Sequence, residues 1–189
     1  MKQWIAEGRA FVCPRQAPDV NTMQLGLAFL DAGVKHRAFI QARYQDLMHE
    51  DQPHKLEDCL DLFSERETDV LRKLVAKLKS AGIGLFVFGS VAWEKISTVS
   101  YRTKDSDLDI LCDVTTMNDL RLVMEAFSEA DYQLPFSIDG EVRFPEGRCV
   151  NWLELLAVLD CDETTEVLVK DETRVYMSTV RALLEPSYA

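Results

Sequence analysis

The sequence predicts an α+β fold, in which a sheet flanked by helices follows a small β-rich N-terminal subdomain. Three stretches carry that expectation. Residues 64–81 put Val70, Leu71, Leu74, Val75 and Leu78 on one stripe of a helix, opened by a Ser64/Glu67 capping box and closed by Gly82. Residues 85–88, Leu-Phe-Val-Phe, form an apolar run long enough for a strand buried on both faces, and the run ends at Gly89-Ser90. Residues 107–112, Asp-Leu-Asp-Ile-Leu-Cys, alternate as a strand does, with Asp107 and Asp109 on one face and Leu108 and Ile110 on the other.

The remaining elements follow from the same rules. Residues 10–13, 25–29 and 37–41 read as short strands, punctuated by Pro14, Pro18, Asn21 and Gly33. They make up the N-terminal subdomain, assigned to residues 1–60, and Asp51-Gln52-Pro53-His54 reads as its linker into a larger unit over 61–189. A short helix over Val91–Lys95 follows Gly89-Ser90. Thr116 caps a helix that buries Leu120, Val123, Met124 and Phe127. A third strand covers residues 136–142, and Pro145-Glu146-Gly147 turns the chain. Asn151 and Glu154 cap a helix carrying Trp152, Leu155, Leu156 and Leu159. A strand over 167–170 and a short helix over 178–184 complete the chain.

Composition bounds the function. In 189 residues the net charge is −11, which argues against a general nucleic-acid binder but not against a phosphorylated small substrate. No apolar run approaches the ~20 residues that span a bilayer, and the N-terminus lacks the apolar core of a signal peptide. Cys13, Cys59, Cys112, Cys149 and Cys161 are scattered, odd in number and free of any C-x-x-C. His36, His49 and His54 show no ligand spacing. Reduced thiols and a cytoplasmic location are the expectation.

The chemistry concentrates between Gly84 and Val114. Two carboxylates on one face of an otherwise apolar strand repel each other and resist desolvation, and a divalent cation relieves both penalties. The Gly89-Ser90 turn offers backbone N–H groups to a phosphate at close range. A phosphate cradle beside a metal-binding carboxylate pair is apparatus for phosphoryl or nucleotidyl transfer. A third carboxylate comes from Asp139 or Glu141, which share a face of the next acidic strand. Lys170 at a strand end, with Arg102 and Lys104 before the D-x-D, can neutralise a leaving pyrophosphate, although a plain surface role is the default for Lys170. Trp93 and Trp152 read as core aromatics and Arg148 as a solvated loop arginine.

The order helix, strand, Gly-Ser turn, D-x-D strand, helix, acidic strand resembles the nucleotidyltransferase fold, whose mixed sheet carries its active site along one edge. A narrower resemblance is carried by Val87–Trp93 (VFGSVAW), Ser106–Leu111 (SDLDIL), Ile138–Gly147 (IDGEVRFPEG), Val150-Asn151-Trp152 and Val167–Lys170 (VLVK). Gly8–Val12 (GRAFV) and Leu25–Ala28 (LGLA) add to it. These stretches resemble the phosphoribosyl-dephospho-CoA transferase family of malonate decarboxylase, also called its holo-acyl-carrier-protein synthase. Ser97-Thr98-Val99-Ser100 departs from the Thr-Gly of that family's loop.

The resemblance implies a 5-triphosphoribosyl-dephospho-CoA donor, a serine of the malonate decarboxylase acyl carrier subunit as acceptor, and pyrophosphate as leaving group. Asp107 and Asp109 would hold two Mg²⁺ ions. Asp139, preferred over Glu141 on the resemblance, would complete a metal site and accept the serine proton. Gly89, Ser90 and Lys170 would bind phosphate. The carrier is expected to be acidic, so Lys35, Arg37, Arg43 and Arg148 are candidates for a local basic patch. Two other readings are a nucleotidyltransferase moving a nucleoside monophosphate to a small molecule or a protein, and a binding module without catalysis.

Overall fold

A computed structural model of the chain describes residues 2–14, 16, 21–31, 34–162 and 164–185. Pro18 and Gly33, expected as turn punctuation, and Glu163 of the acidic run over 160–166 lie outside the described residues. The N-terminal part comprises a short helix α1 (Lys2–Ala6) and an antiparallel hairpin of β1 (Thr22–Asp31) with β2 (Val34–Arg43). Val12 adds an isolated bridge to Gly26, so the expected strand over 10–13 is one bridge long.

The larger body runs α2 (Glu65–Lys79), β3 (Leu85–Val87), α3 (Gly89–Ser97), β4 (Leu108–Asp113), α4 (Met117–Gln133), β5 (Ile138–Phe144), β6 (Arg148–Asn151), α5 (Trp152–Val158), β7 (Glu166–Lys170), β8 (Val175–Thr179) and α6 (Val180–Leu184). Among the described residues, β3 to β8 form one six-stranded sheet in chain order. Only β4 and β5 pair in parallel, so the sheet is mixed. A parallel pair needs a crossover rather than a hairpin, and α4 supplies it.

Alternation sorts the strands into two faces. Leu108, Ile110 and Cys112 of β4 and Ile138, Val142 and Phe144 of β5 turn inward, where Leu71, Leu78, Leu120, Phe127 and Leu155 of the helices cover them. The residues between them, Asp109, Leu111 and Asp113 on β4 and Asp139, Glu141 and Arg143 on β5, share the opposite, more open face. Gly140 lies on the inner face because a Cβ there would come within 2.6 Å of Phe127 and 2.9 Å of Trp152. Those two rings meet edge-on at 5.8 Å, and Trp152 Nε1 donates to the carbonyl of Ile138. Trp152 is thus a core aromatic, as expected.

The caps read from sequence at Ser64 with Glu67, at Thr116 and at Asn151 are present, and Asp119 completes the Thr116 cap. Several expectations need correction. Phe86 is only half-buried, because β3 is short and its other side faces the segment around His54, whose carbonyl accepts from Val87 N–H. Glu154 does not cap α5; it accepts from Leu168 N–H on β7. Arg148 is buried rather than solvated, and its guanidinium donates to the carbonyls of Pro145, Ala182, Leu183 and Glu185. It ties β6 to the end of α6, where unpaired helix carbonyls favour a cation. Strands β6 and β8 and the 3₁₀ turns over Leu56–Leu62 were not anticipated. That last segment straddles the expected boundary at residue 60, and Leu56 and Cys59 are fully buried in the main core.

Candidate active site

The site begins at the end of β3. Phe88 N–H donates to the carbonyl of Asp109, and the chain then turns through Gly89 at φ +58° into α3. Few residues other than glycine adopt that φ, and a Cβ on Gly89 would lie 1.9 Å from Asp109 Oδ2. The turn therefore lies directly on the carboxylate of the neighbouring strand. Ser90 N–H points at the same oxygen at 3.4 Å. The Ser90 hydroxyl is buried and has no hydrogen-bond partner among the described residues.

Register brings in the third carboxylate. Asp109 of β4 pairs with Asp139 of β5, and in a parallel ladder paired side chains project to the same face about 4.8 Å apart. Glu141 instead pairs with Leu111, one step along the strand and away from the turn. Asp139 is held by Asn151, whose Nδ2 donates to Oδ1 at 2.9 Å while its Oδ1 caps α5 through Leu153 N–H. Glu141 takes Lys170 as its partner at 2.5 Å, and its second oxygen is buried without a partner among the described residues. Asp107 stands exposed just before β4. Asp107, Asp109, Asp139, Gly89 and Ser90 thus gather at one end of the sheet. Lys170 sits two strands beyond β5 and joins only through Glu141.

Negative charge is crowded at this end of the sheet. Burial pushes the Asp109 carboxyl above its ordinary value, the Ser90 N–H opposes the shift, and the nearby charges of Asp139 and Asp107 push it further up. Among the described residues, no three acidic, cysteine or histidine side chains are gathered closely enough to hold a metal ion unaided. Magnesium characteristically takes one or two carboxylates and completes its shell with substrate phosphates and water. The Asp107–Asp109 pair, the crowded Asp109 and the unpartnered Ser90 hydroxyl fit that mode of binding.

A family model described as the phosphoribosyl-dephospho-CoA transferase MdcG C-terminal domain matches residues 55–180, which include every residue of this constellation. The chain belongs to this family. Curated relatives agree. A phosphoribosyl-dephospho-CoA transferase of Xanthomonas euvesicatoria pv. vesicatoria is 28% identical over 158 residues, covering 82% of this chain and 73% of the relative. One of Xanthomonas campestris pv. campestris is 25% identical over 172 residues, covering 90% and 78%. One of Bradyrhizobium diazoefficiens is 31% identical over 91 residues, covering 48% and 38%. No solved structure matches significantly. The chain is a transferase of this family, and no helix among the described residues is long and apolar enough to cross a membrane.

Two features of this transferase escaped sequence reasoning. Glu94 is buried on α3 and accepts from Tyr101 N–H, Arg102 N–H and Arg102 Nε at 2.6–2.8 Å, so it fastens the loop that delivers Asp107. Arg102, expected at the phosphates, is committed to this pair, to the Leu62 carbonyl and to the ring face of Phe63. The available signal was a glutamate beside Trp93 in the short helix that follows the Gly89-Ser90 turn. The N-terminal part also reaches the site: Lys35 of β2 lies over the Tyr101 ring and 3.4 Å from Ser106 Oγ. Trp4 packs edge-on against Trp93, and Arg9 donates to the Ser97 carbonyl at the end of α3.

Proposed function

We propose that the protein transfers the phosphoribosyl-dephospho-CoA group from its 5-triphosphoribosyl donor to a serine hydroxyl of the malonate decarboxylase acyl carrier subunit, in the cytoplasm. The observation that carries this reading is the Gly89 turn lying on Asp109, with Asp139 in register beside it. The turn offers the Ser90 N–H and hydroxyl to the donor's phosphates. Asp139, oriented by Asn151, takes the proton from the carrier serine as its oxygen bonds to the phosphorus nearest the ribose. The bond from that phosphorus to the outer two phosphates breaks, and pyrophosphate leaves with its electron pair. Asp107 and Asp109, with Asp139 beside them and the donor's phosphates completing the shell, would hold Mg²⁺, which would neutralise charge on the triphosphate. Lys170 stays with Glu141 and acts on phosphate only if that pair opens.

Charge distribution supports an acidic acceptor despite the acidity of the chain. Residues 1–43 carry six Lys/Arg against three Asp/Glu, whereas residues 44–189 carry fifteen against twenty-nine. The basic segment includes Lys35, which touches the loop before Asp107. Arg37 on the same strand is exposed, whereas Arg43 is paired with Asp46 and Arg148 is buried.

Pyrophosphate release tests the reading. With the triphosphoribosyl donor, release is expected to need both Mg²⁺ and apo carrier, and ATP in place of the donor is expected to give none. Release from ATP with a small-molecule acceptor would replace this reading with nucleotidyl transfer.

A further inference from the structure

We propose that a cleft beside the reacting centre holds the nucleotide body of the donor, the adenosine and pyrophosphate that take no part in the reaction; this rests on the donor assigned above. The cleft has a volume of about 840 Å³ and lies between the start of α2, the 98–106 loop and the start of β5. Small-molecule sites commonly span ~300–1,000 Å³. Its lining includes Ser106, the residue before Asp107, and Phe136, three residues before Asp139, but neither Gly89, Ser90 nor Asp109. It is therefore adjacent to the reacting phosphates and does not contain them. A donor with its triphosphate at the Gly89 turn has a large remainder to place, and the cleft offers it room beside the residues that precede Asp107 and Asp139.

The lining has the chemistry of a nucleotide site. Val99, Pro135 and Phe136 supply an apolar wall, and Phe136 is backed by Phe63 at 6.0 Å. A planar base gains by lying on such a surface. The charged residues around it are mostly committed. Lys95 holds Asp61 at 3.1 Å, Arg102 holds Glu94, and Glu67 caps α2. Lys104 makes no ion pair among the described residues and stands exposed on the rim beside Thr103. A cation without an ion pair on the rim suits a phosphate group. It does not match the uncharged pantetheine arm.

The test varies donor and carrier separately in steady-state kinetics with Lys104→Glu and Phe136→Ala. Each is expected to raise the donor KM about tenfold, the scale of one lost charge-assisted or stacking contact, and to leave the carrier KM unchanged. A raised carrier KM with an unchanged donor KM would overturn the proposal. Calorimetry keeps the cleft separable from the reaction. ADP and dephospho-CoA are expected to bind the wild-type protein and to bind Lys104→Glu about tenfold more weakly, and pantetheine is expected not to compete with either. Equal ADP affinity in both proteins, or competition by pantetheine, overturns the cleft assignment even where carrier modification succeeds. A wild-type protein that binds ADP in this way yet modifies no carrier overturns the donor and acceptor and leaves the cleft assignment standing. Lys104 is exposed, so its replacement reports on binding without the folding penalty that Phe136→Ala can bring.

Discussion

An ideal Cβ on Gly89 would lie 1.9 Å from Oδ2 and 2.3 Å from Cγ of Asp109. The Gly89 turn and the Asp109 carboxylate are therefore packed directly against each other. Gly89→Ala must either displace the Asp109 carboxylate or unwind the turn, and the φ of +58° adds strain. The expected outcome is a loss of kcat on the order of 10²-fold or more, since a misplacement of about 1 Å costs that much. A variant with wild-type kcat would separate the turn from the chemistry.

Asp109 also makes a prediction about stability. Its carboxyl titrates above the ordinary value of 3.8, with burial as the first cause. For a group whose folded pKa is raised, the favourable contribution is complete below the unfolded pKa and disappears as pH rises through the folded one. At pH 7 the ionised Asp109 therefore costs the ligand-free fold stability. Asp109→Asn is expected to raise Tm at pH 7 while abolishing transfer, and the gain in Tm should vanish below about pH 3.8, the ordinary aspartate value. Thermal melts across pH check both. A lower Tm at pH 7 would mean that the carboxylate stabilises the fold.

Much of this site was legible in the sequence because each signal is local. Gly-Ser after an apolar run, and D-x-D with period-two alternation, constrain their own residues directly. Asp139 was preferred over Glu141 on the family resemblance, because the residues themselves leave both on one face of the strand. The pairing of Asp109 with Asp139, and of Glu141 with Lys170, is a property of strands brought together through α4 and β6, and no local pattern encodes it. Arg148 was misread for the same reason. An arginine beside Pro145-Glu146-Gly147 looks like a loop residue until α6, more than thirty residues later, presents its carbonyls. Strand β6 was hidden because its four residues run directly into α5.

Thr98 closes α3 in the left-handed conformation at φ 58°. A β-branched residue there is strained by ~1–2 kcal/mol. Thr98→Gly is expected to stabilise the protein by about 1 kcal/mol once glycine's greater freedom in the unfolded chain is deducted. Chemical denaturation reads this directly. A destabilised Thr98→Gly would show that the bond from the Thr98 hydroxyl to the Ser97 carbonyl outweighs the strain.

Arg148 commits a buried charge to structure away from the site. Arg148→Met removes the donors to four carbonyls and is expected to cost ~3 kcal/mol, the upper range for charge-assisted bonds left unmade. Tm should fall by roughly 10 °C for a chain of this size. Arg148→Lys is expected to recover little, since a single ammonium cannot span the same acceptors. The activity of the folded fraction should stay unchanged, because Arg148 lies outside the carboxylate site. A normal Tm would contradict the tie between β6 and α6.

The most direct test of the central claim is the mass of the apo carrier subunit after incubation with the triphosphoribosyl donor, Mg²⁺ and enzyme. The expected result is a gain of one phosphoribosyl-dephospho-CoA unit with the wild-type protein and none with Asp107→Ala, Asp109→Ala or Asp139→Asn. Glu141→Gln should retain transfer to within about tenfold, since Glu141 is occupied by Lys170 and general-base losses run to ~10²–10⁴. An unmodified carrier with the wild-type protein, or full modification by Asp139→Asn and none by Glu141→Gln, would contradict the account.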